Sequence, residues 1–102
     1  MFVHTVYFYP ADEAPADAGE RLAAACLALL KDVPGVRWIH AGTPAGTDRP
    51  VVDNSYAAGL TVILEDSAAH DVYQTHPLHL QFIAENKHLW SRVQIYDFIA
   101  AR

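Results

Sequence analysis

The chain has 102 residues, a formal net charge of −5 and 52% hydrophobic residues. That balance excludes a disordered chain, and its scattered lysines and arginines supply no basic stripe for a nucleic acid. No apolar run is long enough to span a bilayer, and a single cysteine, Cys26, excludes an internal disulfide.

The length is that of one domain, residues 1–102. The start, Met1-Phe2-Val3-His4, has neither the basic region nor the cleavage site of a signal peptide, which together with the lone thiol predicts a cytoplasmic protein. Residues 2–9 are β-branched and aromatic and read as a strand ended by Pro10. Residues 11–15 carry acidic residues and a proline, as helix N-termini do. A helix is predicted over 16–32, where Leu22, Cys26, Leu29 and Val33 recur on one face, and Pro34-Gly35 stops it. A strand over 36–42, a turn-rich loop over 43–55 and a strand over 56–65 come next. A helical region starts near residue 66, with Asp66 or Ser67 as N-cap, and Pro77 interrupts it. A second helical piece restarts with Pro77 in its first turn, and the alternating residues 92–99 form the last strand.

The order β-α-β-β-α-β predicts an α+β, ferredoxin-like fold: a four-stranded antiparallel sheet with the helices on one face. Side chains alternate across a strand. Phe2, His4, Val6 and Phe8 therefore oppose Val3, Thr5, Tyr7 and Tyr9, and Val93, Ile95 and Ile99 oppose Gln94, Tyr96 and Phe98. Both sheet faces carry large apolar groups, and the helices cover only one. A bare four-stranded apolar face exceeds the patch of roughly 300–600 Å² common on monomers. The expected solution is a homodimeric α/β barrel in which two open sheet faces meet.

The segment Tyr73-Gln74-Thr75-His76-Pro77-Leu78-His79 resembles the Tyr-x-x-His-Pro-x-His signature of the stress-responsive α/β-barrel domain family. Val52-Asp53-Asn54-Ser55-Tyr56, Tyr96-Asp97-Phe98, His4 and Pro34-Gly35-Val36 are similar to its flanking segments. The resemblance spans essentially the whole chain and implies a dimeric ferredoxin-like barrel. In a plant branch similar to olivetolic acid cyclase, which closes a polyketide by aldol condensation, the signature's tyrosine and last histidine are the catalytic pair. The resemblance carries those roles onto Tyr73 and His79 and a pocket histidine onto His4. Two further pocket positions of that branch, an aromatic and a histidine, become Cys26 and Ala58 here.

The residues themselves support two readings. The first is a dimer binding a small, partly apolar molecule between sheet and helices, with no reaction. The alternative is a cofactor-free enzyme, a cyclase, aldol-type catalyst or isomerase. Its base would be His79, removing a proton next to a carbonyl, and its hydrogen-bond donor Tyr73. His4, His76, Cys26 and Ala58 are the binding candidates. Against that reading, His76 fastens the helix break to a backbone group, and Cys26 is a small core residue on an apolar stripe. His40, His70 and His88 are expected on the surface or at an interface. His76 and His79 have metal-ligand spacing, but Pro77 stands between them and no further ligand pair accompanies them, so no metal is expected. No phosphate-binding glycine loop is present, so no cofactor is expected.

Overall fold

Alternation along residues 2–10 gives the central strand of the sheet, β1 (Phe2–Pro10), in a computed structural model that describes residues 1–102. The other strands are β2 (Val36–Gly42), β3 (Ala58–Leu64) and β4 (Trp90–Ile99). Their order is β2-β3-β1-β4, and every neighbouring pair is antiparallel. Helix α1 (Ala18–Leu30) joins β1 to β2, and α2 (Ser67–Thr75), α3 (Pro77–Asn86) and a 3₁₀ turn over Lys87–Leu89 join β3 to β4.

Boundaries move by a few residues from the predicted ones. Helix α1 begins at Ala18, because Pro15 and Asp17 build a turn first, with the Ala18 amide donating to the Pro15 carbonyl. Strand β4 begins at Trp90, which pairs with Pro10 across a register shift between Tyr9 and Pro10. Proline has no amide to continue the ladder, so a bulge there is the natural outcome. Gly35, at φ +90°, turns the chain from α1 into β2. A Cβ at this position would stand 2.7 Å from the Ala69 Cβ of α2, so both conformation and space require glycine. The Asp66 carboxylate caps α2 by accepting from the Ala69 amide at 2.9 Å.

On the helix-covered face, Val6, Phe8, Leu60, Val62 and Leu64 are buried against Leu22, Cys26, Leu30 and Val33 of the α1 segment and against Tyr73, Phe82 and Leu89. Leu29, expected on the buried stripe, is half-buried, and Leu30 takes the core position. The opposite face is open. Trp38, Tyr96 and Phe98 on it are 55%, 60% and 56% exposed. Cover is also thin along the edge strand β4, whose Ile95 and Ile99 lie in register with β1 residues of the covered face yet remain largely exposed. No helix is long and apolar enough to cross a membrane.

Candidate functional site

The thin cover along β4 leaves a cavity of about 240 Å³ between the sheet and the α2–α3 pair. Its walls include Val6, Phe8, Leu60, Phe82, Trp90 and Ile95, and His4, Tyr73 and His79 also line it. Phe8, Phe82 and Trp90 pack ring against ring at 5.1–5.9 Å and close one end.

The helix break brings Tyr73 and His79 together. His76 is extended (φ −64°, ψ 141°), as the residue before a proline prefers. Its amide donates to the Tyr73 carbonyl and ends α2. Its Nδ1 accepts from the Leu78 amide at 3.1 Å and starts α3, where Pro77 takes the first position, in which a missing amide does no harm. Tyr73 therefore lies in the last turn of α2 and His79 in the first turn of α3, with ring centroids 4.8 Å apart. His4 approaches the Tyr73 ring edge-on at 5.6 Å.

Burial governs the charge of all three groups. The His79 imidazole is pushed below its usual pKa by desolvation, opposed by the Gln74 backbone and reinforced by repulsion from His4 and His70. Its Nδ1 is buried and makes no hydrogen bond of good geometry, with the Gln74 backbone the polar group that favours its protonated form. Burial raises the Tyr73 phenol well above its usual value, so it stays protonated. Burial also lowers the pKa of His4, which is 6% exposed, despite the opposing hydrogen bond from Nδ1 to the Asp97 carboxylate at 2.6 Å. At neutral pH the site thus holds neutral imidazoles beside a neutral phenol, the protonation states suited to a base and a hydrogen-bond donor.

The other sequence candidates fall elsewhere. His76 does not line the cavity; its ring is the cap of α3. Cys26 and Ala58 are buried in the core behind the cavity wall and do not line it. Burial pushes the Cys26 thiol up to about 12, which leaves it inert as a nucleophile. His76 and His79 form no metal-ligand cluster; the group of residues that could do so is His4, His70 and Asp97. His40 and His88 are exposed, as expected, whereas His70 is half-buried and stacks on Phe2 at 4.1 Å.

Asp97 is the polar partner that sequence reasoning overlooked. The signal was present: Asp97 shares its strand face with Val93, Ile95 and Ile99, so an acid interrupts an apolar series opposite His4.

The chain can now be set beside known proteins. The Stress responsive A/B Barrel Domain family matches residues 2–100. Among curated proteins nothing matches the sequence. Several solved structures share the fold. A dimeric ferredoxin-like protein of unknown function from Thermobifida fusca is 19% identical with a TM-score of 0.80, over 97% of this chain and 90% of that one. A Dabb family protein with a ferredoxin-like fold from Mesorhizobium loti is 20% identical with a TM-score of 0.76, over 99% and 97%. The hydroxynitrile lyase of Passiflora edulis is 14% identical with a TM-score of 0.80, over 98% and 93%. Identities this low establish a shared fold and no shared chemistry. The ferredoxin-like sheet and the family match over residues 2–100 together place the chain: it belongs to the stress-responsive A/B barrel domain family.

Proposed function

We propose that the chain acts as a homodimer, joined through the open sheet face, that binds a small and partly apolar molecule in the cavity of each subunit. The observation that carries this reading is a mostly apolar cavity on whose wall three polar side chains, His4, Tyr73 and His79, stand next to one another. Apolar walls with a few convergent polar groups are the usual form of a small-molecule site. A ligand with one hydrogen-bonding oxygen and an apolar body matches that lining. The volume lies below the roughly 300–1,000 Å³ of pockets for drug-sized ligands, so the occupant is smaller than those.

The dimer rests on the open face. Trp38, Tyr96 and Phe98 are more than half exposed there, and Tyr7, Tyr9, Tyr56, Tyr96 and Asp53 rim a depression of about 270 Å³ able to take a side chain from a twin. The Thermobifida fusca neighbour is described as dimeric, which supports a dimer here.

The test uses benzaldehyde and acetophenone as probes, titrated against the Trp38→Phe protein so that Trp90 in the cavity wall reports. Saturable quenching at one site per chain, lost in His79→Leu, is the expected result. Unsaturable quenching, or quenching indifferent to His79→Leu, sinks the proposal.

A second reading has its own observation, the Tyr73 ring 4.8 Å from the His79 ring in one cavity. It is cofactor-free proton transfer: His79 takes a proton from the carbon next to a carbonyl while the Tyr73 hydroxyl donates to the developing enolate. Deuterium incorporation next to the carbonyl of acetophenone, followed by NMR in D₂O, measures it. Incorporation at the rate of buffer alone eliminates catalysis and leaves the binding reading intact.

A further inference from the structure

Three elements converge at the edge of the cavity. His4 comes from β1, His70 from α2 and Asp97 from β4. One ligand atom from each lies within 4.8 Å of the other two. The Nδ1 of His4 stands 2.6 Å from Asp97 Oδ1, and the Nε2 of His70 stands 4.0 Å from Asp97 Oδ2. The single carboxylate thus hydrogen-bonds one imidazole and faces a second, with the two ring centroids 5.3 Å apart.

We propose that His4, His70 and Asp97 bind one first-row divalent ion of the Zn²⁺, Co²⁺ or Ni²⁺ class. Two imidazole nitrogens and one carboxylate form a donor set for borderline transition metals rather than for Mg²⁺ or Ca²⁺, which want oxygen. Donors about 2.1 Å from such an ion stand roughly 3–3.5 Å apart in a tetrahedral shell. The present separations bracket that value, so rotation of the half-buried His70 and of Asp97 reaches it without moving a strand.

The surroundings match the same role. His70 Nδ1 faces the Asp71 carboxylate at 3.8 Å, which leaves Nε2 as the nitrogen turned toward Asp97. Drawn in to hydrogen-bond distance, that carboxylate would orient the ring and raise its basicity, as outer partners of ligating histidines do. Phe2 stacks on the His70 ring at 4.1 Å and supports it from one side. The ion takes the place of the proton now shared by His4 Nδ1 and Asp97; that proton moves to Nε2, and the imidazole stays neutral. Three protein ligands leave further coordination positions open.

The experiment titrates the full-length, tag-free protein, first dialysed against EDTA, with Co²⁺ by visible absorption and with Zn²⁺ by calorimetry. One ion per chain is expected. Loss of even an outer partner weakens metal sites about 10–100-fold. His70→Ala and Asp97→Asn should therefore each weaken binding at least tenfold, while His88→Ala, at an exposed histidine outside the cluster, leaves it unchanged. Asp97→Asn keeps the shape of the side chain and its hydrogen bond to His4, so it tests ligation without disturbing the fold. Absence of stoichiometric uptake, or uptake that survives either His70→Ala or Asp97→Asn, overturns the site. Neither result bears on whether benzaldehyde or acetophenone enters the cavity.

Discussion

The two faces of one sheet solve opposite problems with the same four strands. The covered face is mostly aliphatic, and Val6, Phe8, Ala58, Leu60, Val62 and Leu64 on β1 and β3 are at most 5% exposed; its single buried polar residue is His4. The open face carries Thr5, Tyr7, Tyr9, Tyr56, Trp38 and Tyr96, groups that tolerate water at one end and apolar contact at the other. Polarity is routine on the open face and expensive on the covered one. A polar group retained under the helices therefore marks function more sharply than any number of tyrosines outside.

The sharpest way to test that contrast is to truncate one aromatic on each face. Phe8 is 4% exposed and packs against Phe82 and Trp90, so Phe8→Ala should lower unfolding stability by about 3–5 kcal/mol at any protein concentration. Phe98→Ala should act only through the dimer, so its effect in urea melts should vanish as the protein is diluted. Equal, concentration-independent losses would erase the distinction between the faces.

Charge makes the same point at the proposed interface. Tyr7 packs against Tyr56 and Tyr96 at 5.0 and 6.5 Å in the middle of the open face. Tyr7→Glu places two like charges in the dimer, one from each copy, and should weaken it at least about a hundredfold, or by roughly 3 kcal/mol. Sedimentation of an unchanged dimer would move the interface elsewhere.

The covered face should also respond to pH. His4 and His79 both have folded-state values lowered from the usual 6.5, chiefly by burial. Unfolding therefore takes up protons, so their contribution is fully present above about pH 7 and is lost as pH falls below the unfolded value near 6.5. In EDTA, stability should fall by up to about 1.4 kcal/mol per pH unit for each group. His79→Leu removes an unpartnered buried nitrogen; it should flatten that slope and leave the fold as stable or more so. A slope unchanged in His79→Leu would assign the protons to other groups.

These contrasts also explain what was legible beforehand. Residue type, alternation and the prolines place the strands, the break at Pro77 and the two-faced sheet, because each follows from local side-chain pattern and backbone sterics. Tyr73, His79 and His4 were legible through the signature and the strand phase. His70 was not, and Asp97 shows only as an acid breaking an apolar series, since their meeting with His4 depends on the register of three elements and no spacing rule spans 93 residues. Cys26 and Ala58 were named from positions in relatives, and here the core fills both with small residues behind the cavity wall.

The smallest effect separates the two histidines of the signature. His76 and His79 are three residues apart, yet only His79 borders the cavity, while His76 spends its Nδ1 on the Leu78 amide. Losing an N-cap side chain destabilises a helix by about 1 kcal/mol, and asparagine is among the best caps. His76→Ala should therefore lower stability by about 1 kcal/mol and His76→Asn should restore it, both with probe affinity within about twofold of the parent. Because the cap also sets the angle between α2 and α3, a larger loss of affinity in His76→Ala that His76→Asn rescues would still be positional. A loss of affinity in both variants, with stability restored in the asparagine, would instead place His76 in contact with the ligand and join the two histidines in one role.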